Sequence, residues 1–487
     1  MTAVVDTADT HAPSSLRRTT VGRGVWLIAA ATAAFHLATA TIYGYHRDEV
    51  YYLASGRRLA WGYVDHPPLT PLLYRVSADL FGTSRFDLRI VPAVLSAVIV
   101  VLTARLAREM GAGRQGMILA AVAAAVGPMF LTLGHFLSTV DMELVLWTAA
   151  AILLVRLLNG GDARLWVAVG AVLGLAMLDK WTTSLFVVGV GAGLLAVPER
   201  RILRTPWVVV GAVVAFAVWL PNLLWQAGHG FPQFEVAANL RTPEAIATIP
   251  YQVVFFGAAG IILAIPGFLW LWRDEAGRRY RAFAIAFVVI VAMVMLSAGK
   301  PYYAGVFGPV LLAAGAASGR WSFRPALAWF VGVAVVSAPF AMPLLPLSTA
   351  DATRGANKEI GEMVGWPHVV DVVQGVYRRH PGATVFAANY SEAGILELLG
   401  PARGLPQPIS GHNTYWYWGH PRGRSPETIV VGTSQEYLRR WWGDVQLAAT
   451  IHTPGGVHNM EDGAPVWVCR DQLADWQTLW PKLRHFQ

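Results

Sequence analysis

Long apolar runs, interrupted by short polar connections, occupy most of the first 345 residues of the chain. A helix needs roughly 20 apolar residues to cross the hydrocarbon of a bilayer, so the shorter runs are expected to be tilted or displaced. The pattern predicts an α-helical polytopic membrane protein with about 11 spans. The runs lie at residues 25–43, 90–107, 117–134, 142–158, 165–178, 182–197, 207–224, 251–272, 282–298, 303–317 and 326–345.

The N-terminal residues 1–24 are polar and include Arg17, Arg18 and Arg23, so we predict a disordered, cytoplasmic N-terminus. The apolar run that follows has two interpretations. One is a cleaved signal peptide, because Ala38-Thr39-Ala40 resembles a cleavage site. We prefer an uncleaved membrane anchor, because many further apolar runs follow it.

Arginine residues mark one side of the predicted membrane. Arginine-rich connections alternate with connections that are nearly free of cations, where Lys300 is the single cation near residues 299–301. Positively charged connections stay in the cytoplasm, so we expect the N-terminus inside and, after an odd number of spans, the C-terminal region outside. This predicts a multi-pass protein of the plasma membrane. The arginines lie in alternate connections, at Arg105, Arg108, Arg114, Arg156, Arg164, Arg200, Arg201, Arg204, Arg273, Arg278, Arg279, Arg281, Arg320 and Arg324.

The chain changes in character after the last apolar run. Short apolar segments at residues 384–388, 428–431 and 465–469 predict strands, and residues 391–399 and 435–442 predict helices. Such alternation is typical of a small α/β domain. We therefore predict a membrane domain at residues 25–347, with a first outer loop at residues 44–89, and an extracytoplasmic α/β domain at residues 348–487.

The composition supports a membrane protein and excludes several other classes. Charged residues make up 14% of the chain and hydrophobic residues 55%, whereas soluble domains are about a quarter charged. The net charge of +8 comes from dispersed arginine clusters, which indicate membrane topology rather than a nucleic-acid surface. A single cysteine, Cys469, excludes an internal disulfide and a cysteine-based zinc site. We expect no nucleic-acid partner and no nucleotide cofactor.

Two acidic motifs lie in the first outer loop. Asp48 and Glu49 follow the first span directly. They form either a solvated pair balanced by Arg47, or a general base or metal ligand at the bilayer surface. Further on, Asp65 and His66 precede two prolines, which disfavour helix at that point. An Asp-His pair binds a divalent cation, polarises a hydroxyl or forms a rigid turn, so Asp48, Asp65 and His66 are candidate metal ligands.

Further charged residues occur where predicted spans meet the outer surface. Asp141 and Glu143 open a span, where a carboxylate either caps the helix or takes part in chemistry. Asp179 and Lys180 interrupt an apolar stretch, and these two charges either neutralise each other or belong to a site. Lys300 begins a Lys-Pro-Tyr-Tyr turn, where it either reaches lipid headgroups or binds a phosphate.

Taken in order, these motifs resemble the GT-C class of membrane glycosyltransferases, in particular the dolichyl-phosphate-mannose protein mannosyltransferase-like and aminoarabinose-transferase-like group. The resemblance covers residues 25–345. It implies a GT-C fold, a polyprenyl-phosphate sugar donor and an active site at the outer face. It also implies that Asp48 is the catalytic carboxylate and Glu49 its acidic neighbour, while His66 replaces a lysine of some relatives. Residues 389–393 and 411–416 resemble the tails of some bacterial members, without implying a role.

The residues and the resemblance together predict an enzyme that transfers a sugar to a hydroxyl group of a lipid, glycan or protein acceptor. Asp48 is the expected base, and Glu49 and Asp141 complete the predicted catalytic set. One base and one displacement invert the anomeric centre, whereas a nucleophile at Asp141 would retain it. A divalent metal ion is the one cofactor that these residues suggest. The predicted substrate contacts are Asp65, His66, Lys180, Lys300, Tyr302 and Tyr303.

Two other classes remain open on these observations. A transporter or flippase of a lipid-linked or sugar substrate would spread acidic residues through the bilayer, whereas here the acids gather at one surface. A membrane-anchored binding module would work through the tail. Its aromatic run at residues 415–418 either stacks on a sugar or packs as an ordinary strand.

Overall fold

The computed structural model describes residues 21–353 and 357–487, so the predicted disorder of residues 1–24 falls almost entirely outside the described residues. Helices occupy the chain as far as residue 350, and a four-stranded sheet with further helices follows. The α-helices of the first part are α1 (Arg23–Thr39), α2 (Arg47–Arg57), α3 (Leu69–Phe81), α4 (Arg85–Leu88), α5 (Ile90–Glu109), α6 (Arg114–Val126), α7 (Pro128–Leu133), α8 (Thr139–Leu158), α9 (Leu165–Met177), α10 (Thr183–Leu195), α11 (Pro206–Gly228), α12 (Pro232–Asn239), α13 (Thr248–Arg273), α14 (Arg281–Leu296), α15 (Tyr302–Gly305), α16 (Gly308–Ser318), α17 (Phe323–Ala341) and α18 (Leu347–Ala350). The later elements are α19 (Trp366–Tyr377), β1 (Thr384–Ala387), α20 (Tyr390–Leu399), β2 (Thr428–Val431), α21 (Gln435–Leu438), β3 (Trp442–Thr450), β4 (Pro465–Gln472) and α22 (Trp476–Leu483).

Every predicted apolar run contains helix, so the helical architecture is confirmed. The number of about 11 spans stays a prediction, because several of these helices are shorter than a bilayer requires. Among the described residues, four helical stretches are long and apolar enough to cross a membrane: Arg85–Glu109, Pro206–Gly228, Arg278–Leu296 and Phe323–Ala341. Shorter apolar helices lie at Arg114–Val126, Leu165–Met177, Thr183–Leu195, Gly260–Arg273 and Gly308–Ser318.

Glycine residues allow some of these helices to approach closely. A Cβ atom built on Gly170 of α9 would lie 2.0 Å from the carbonyl oxygen of Gly211 in α11. One built on Gly315 of α16 would lie 2.0 Å from the carbonyl oxygen of Leu263 in α13. Lipid provides no hydrophobic drive for helix association, so the close packing that small residues permit is what holds such helices together.

The first outer loop is helical rather than irregular. α2 carries Asp48 and Glu49 in its first turn, and α3 begins at Leu69, directly after the two prolines. The side chain of His46 caps α2 and accepts a hydrogen bond from the backbone N–H of Asp48 at 3.2 Å. Charged residues obscure the helical period of α2, and its apolar face packs on the C-terminal region instead of on lipid.

The C-terminal region contains one mixed sheet in the order β1-β2-β4-β3. β1 and β2 are parallel, and β4 is antiparallel to both β2 and β3. The three predicted strands are present. The edge strand β3 was not predicted, because buried and partly exposed residues alternate poorly along it. The helix expected at residues 435–442 is shorter than predicted and ends at Leu438. The aromatic run at residues 415–418 belongs to the 3-10 helix Asn413–Trp418 and not to a strand.

The C-terminal region packs directly on α2 of the first outer loop. Val50 and Tyr51 of α2 are buried in one hydrophobic cluster with Val385 of β1 and Ile395 of α20. A Cβ atom built on Gly394 of α20 would lie 3.0 Å from the backbone carbonyl carbon of Val50. The two helices therefore touch without space for a larger side chain, and this contact sets the C-terminal region over the first turn of α2.

Candidate active site

Asp48 lies in the first turn of α2, where the first outer loop meets the C-terminal region. Its side chain is 31% exposed. The oxygen Oδ1 accepts a hydrogen bond from the Tyr390 hydroxyl at 2.9 Å and lies 3.8 Å from Nε of Arg47. No residue in the described part of the chain donates a hydrogen bond to Oδ2. Asp48 is thus a carboxylate held at one oxygen and open at the other, which suits a general base.

Glu49 has a different environment, although it is the next residue. It is fully buried, and Arg89 donates to both of its oxygens, from Nε to Oε1 at 3.1 Å and from Nη2 to Oε2 at 2.9 Å. The backbone N–H of His46 also donates to Oε2 at 2.6 Å. Because both oxygens are engaged, the geometry favours a role in holding α2 over the catalytic role predicted for Glu49.

Asp65 and His66 contact α2 through the side chain of Tyr51. The Tyr51 hydroxyl donates to Oδ1 of Asp65 at 2.6 Å, and Nδ2 of Asn413 donates to Oδ2 at 3.2 Å. Nε2 of His66 lies 3.9 Å from Oδ1 of Asp65. Burial raises the pKa of Asp65 and lowers the pKa of His66, and the attraction between the two side chains opposes both shifts.

The predicted metal site at Asp48, Asp65 and His66 does not assemble in this arrangement. Across residues 21–353 and 357–487, no group of three or more His, Cys, Asp or Glu side chains could hold a metal ion. Protein donors occupy both oxygens of Asp65, and Nδ1 of His66 lies 3.1 Å from the carbonyl oxygen of Pro67. Nε2 of His66, in contrast, is buried without a hydrogen-bond partner among the described residues. A divalent ion therefore stays a prediction, and the mechanism below contains no metal-dependent step.

Asp141 caps the helix that it opens. Its Oδ2 accepts hydrogen bonds from the backbone N–H and the hydroxyl of Ser138, both at 2.8 Å. Oγ of Ser138 in turn accepts from the backbone N–H of Val140 at 3.2 Å, which completes a reciprocal capping box. Asp141 is only 5% exposed, so this arrangement favours the capping alternative over a nucleophile.

Lys180 pairs with Glu143 and not with its neighbour Asp179. Nζ of Lys180 lies 3.7 Å from Oε2 of Glu143. Asp179 instead accepts a hydrogen bond from the Thr70 hydroxyl at 2.7 Å. Of the two alternatives for Asp179 and Lys180, the geometry therefore favours membership of a site over a direct ion pair between the two neighbours.

Tyr302 and Tyr303 line this lysine, and Lys300 begins the turn that carries the two tyrosines. The centroids of the two tyrosine rings are 4.9 Å and 5.0 Å from Nζ of Lys180, within the range of a cation–π contact. Burial lowers the pKa of Lys300, and the negative charge of Asp48 opposes this shift. The structure thus brings Lys180, Tyr302 and Tyr303 together and places Lys300 within electrostatic reach of Asp48.

The sequence did not predict two contacts that the C-terminal region makes with acids of the first outer loop. Tyr390 reaches Asp48, and Asn413 reaches Asp65. Asn389 followed by Tyr390 at a predicted helix start signals an N-cap, and the structure contains this cap. No local pattern, however, shows which distant loop the capped end of a helix faces.

The membrane part of the chain resembles known glycosyltransferases in sequence. A family model described as dolichyl-phosphate-mannose-protein mannosyltransferase matches residues 65–225. The lipid A galacturonosyltransferase RgtD of Rhizobium johnstonii (strain DSM 114642 / LMG 32736 / 3841) is 28% identical over 235 residues, which are 46% of this chain and 48% of that protein. The alignment therefore spans about half the length of this curated relative.

Most of the chain resembles a solved fold. The crystal structure of ArnT from Cupriavidus metallidurans bound to undecaprenyl phosphate aligns with a TM-score of 0.59, and its apo state aligns with 0.61. Each alignment covers 91% of this chain and 97% of the other at 15% identity. At this level of identity the similarity establishes a shared fold, and it extends through the C-terminal region as well as the membrane helices.

Proposed function

We propose that this chain, as a glycosyltransferase of the GT-C class, transfers a sugar from a polyprenyl-phosphate donor to an acceptor hydroxyl group. The resemblance to this class that the motifs indicated is confirmed by the family model, the curated relative and the fold. The observation that carries the proposal is Asp48, a carboxylate held at Oδ1 and open at Oδ2, with Lys300 in electrostatic reach.

The relatives suggest the class of donor and acceptor. ArnT was crystallised with undecaprenyl phosphate, and RgtD is a lipid A galacturonosyltransferase. These names support a lipid-linked donor and favour a lipid acceptor over a glycan or a protein.

The chemistry follows from the open oxygen of Asp48. As the acceptor oxygen bonds to the anomeric carbon, Oδ2 of Asp48 takes the acceptor's proton. The bond from the anomeric carbon to the phosphate oxygen breaks, and polyprenyl phosphate leaves with the electron pair. Lys300 and Lys180 neutralise the charge on the leaving phosphate. A single displacement with one base inverts the anomeric configuration.

The topology belongs to the same proposal. We place the N-terminus in the cytoplasm, about 11 spans in the plasma membrane, and residues 348–487 outside as a folded α/β unit. The arginine asymmetry supports this orientation. In intact cells, Arg440→Cys should react with an impermeant thiol reagent, and Gly113→Cys should react only after the cells are opened. Labelling at residue 113 alone would reverse the orientation.

Turnover by the purified protein tests the activity. The protein is given radiolabelled polyprenyl-phosphate sugars and candidate lipid acceptors, and the release of polyprenyl phosphate is measured. Asp79→Asn is a matched control for Asp48→Asn, because Asp79 is an exposed acid of the same loop that pairs with Arg75 on the surface. If no donor is turned over by the wild-type protein, the glycosyltransferase proposal fails, and a lipid-flipping assay then tests the transporter alternative.

A further inference from the structure

We propose that the C-terminal region completes the active site, with Tyr390 as a positioning residue for the carboxylate of Asp48. The inference rests on the proposed function. It assigns a catalytic purpose to a region for which neither the sequence motifs nor the family model, which ends at residue 225, indicated any.

The Tyr390 hydroxyl connects two side chains of α2. It lies 2.9 Å from Oδ1 of Asp48 and 2.9 Å from Nη2 of Arg47. A guanidinium group only donates hydrogen bonds, so the hydroxyl accepts from Arg47 and gives its single proton to Asp48. The direction of both hydrogen bonds is therefore determined, and the proton of Tyr390 holds Oδ1 of Asp48.

The position of this hydroxyl is itself fixed. Tyr390 is the first residue of α20, and Oδ1 of Asn389 caps that helix by accepting from the backbone N–H groups of Ser391 and Glu392 at 2.8 Å and 2.9 Å. The Tyr390 ring stacks on the ring of Tyr51 with a centroid distance of 4.6 Å. Cap and stacking together leave the hydroxyl little freedom, which is what positioning of a catalytic group requires.

A second contact from the C-terminal region supports the same conclusion independently. Asn413 has a φ of +46°, a conformation that asparagine tolerates better than most residues. Its Nδ2 donates to Oδ2 of Asp65 at 3.2 Å, and the hydroxyl of Thr414 lies 2.9 Å from that of Tyr51. Asp48 and Asp65 of the first outer loop are thus both held by side chains of the C-terminal region.

The consequence for Asp48 is that one oxygen is anchored while the other faces the acceptor. Burial and the negative charge of Asp48 raise the pKa of Tyr390 well above its ordinary value, so its hydroxyl stays protonated and remains a donor. A donor to a carboxylate stabilises the charged form, which is the form that a base needs. Removing the hydroxyl should therefore misorient the base and weaken the stabilisation of its charged form.

Tyr390→Phe keeps the stacked ring and removes only the hydroxyl. We expect the kcat of full-length protein to fall roughly 10- to 100-fold, the rate equivalent of one hydrogen bond to a charged group, with the donor KM almost unchanged. The acid limb of the pH–rate profile should move to higher pH. Tyr437→Phe is the matched control, because Tyr437 lies in the same region against Trp441 and Arg440. Wild-type kcat and an unshifted profile in folded Tyr390→Phe would overturn the inference.

A readout without turnover separates this inference from the proposed function. The free energies of unfolding are compared for Asp48→Ala, which removes the acceptor oxygen, for Tyr390→Phe and for the double variant in detergent. Loss of one shared hydrogen bond predicts that the two effects do not add, whereas the Tyr437→Phe effect adds to that of Asp48→Ala. Additive effects of Asp48→Ala and Tyr390→Phe would overturn the contact, whatever the turnover. If the two effects are not additive but the wild-type protein shows no turnover, the contact is confirmed, and its catalytic purpose is refuted together with the proposed function.

Discussion

Two buried ion pairs near the candidate site differ in how fully their polar atoms are satisfied. Glu49 and Arg89 meet at two points, at 3.1 Å and 2.9 Å, and Arg89 also donates to two backbone carbonyl oxygens at 2.7 Å. Glu143 and Lys180 approach only to 3.7 Å. Within the described part of the chain, neither Nζ of Lys180 nor Oε2 of Glu143 has a hydrogen-bond partner.

The difference separates a structural ion pair from one that is ready to bind a ligand. Desolvating two charges is costly, and a pair that only stabilises the fold recovers this cost through complete hydrogen bonding. Glu49 and Arg89 meet that condition. Lys180 retains unused donors between two tyrosine rings, and a buried polar atom without a partner is expected where a ligand supplies the partner. We therefore propose that Glu49 stabilises the fold and that Lys180 binds the donor phosphate.

The largest expected effect on stability comes from breaking the Glu49–Arg89 ion pair. Arg89→Leu leaves the Glu49 carboxylate buried without a positively charged partner, and this should lower the free energy of unfolding by about 3–5 kcal/mol. Thermal unfolding in detergent measures the loss. Arg75→Leu is the control, since the Arg75–Asp79 pair is exposed and should matter by at most about 1 kcal/mol. Equal losses in the two variants would remove the distinction between buried and exposed pairs.

Replacing the open carboxylate should affect turnover and not the fold. Asp48→Asn keeps the shape of the side chain but removes its basicity, so kcat should fall by at least about 10²-fold with donor binding nearly unchanged. Glu49→Gln should do the reverse and lower the melting temperature more than Asp48→Asn does. Wild-type turnover by folded Asp48→Asn would exclude Asp48 as the base.

The loosely paired lysine should affect donor binding more than stability. Lys180→Met preserves most of the apolar volume between the tyrosine rings and removes the charge. The donor KM should rise roughly tenfold, while the free energy of unfolding falls by about 1 kcal/mol, less than for Arg89→Leu. A stability loss as large as that of Arg89→Leu, with an unchanged KM, would make Glu143–Lys180 a second structural pair.

The smallest expected effect concerns two acids of the C-terminal region. Glu392 and Glu461 are buried, and burial raises the pKa of both, while the charge of Glu461 raises that of Glu392 further. Acids with a raised folded-state pKa add stability below their unfolded value of 4.5 and lose that contribution as the pH rises through the folded value.

Glu461→Gln removes one of these two titrations. Between about pH 5 and about pH 8, the variant should lose roughly 1 kcal/mol less stability than the wild type. Unfolding measured at both pH values tests this, with the exposed Glu436→Gln as the control. A pH dependence identical to that of the wild type would show that the two carboxyl groups do not titrate as a buried pair.

The sequence predicted the helical architecture because hydropathy acts over whole segments. Apolar runs located the membrane helices, and β1, β2 and β4 lie where short apolar segments predicted strands. The hydropathy pattern did not predict elements whose apolar contacts come from a distant part of the chain. α2 and the edge strand β3 carry mixed residues whose burial depends on the C-terminal fold.

The candidate site was determined only in part by the sequence. Its motifs identified Asp48, Lys180, Lys300 and the tyrosine pair, because charged residues beside apolar spans are conspicuous in any membrane sequence. The tertiary structure alone decided that Glu49 is enclosed by Arg89 and that Asp48 is held by Tyr390, which is 342 residues away along the chain. Such contacts depend on where a separate sheet region packs against a capped helix, and no local periodicity or spacing encodes that placement.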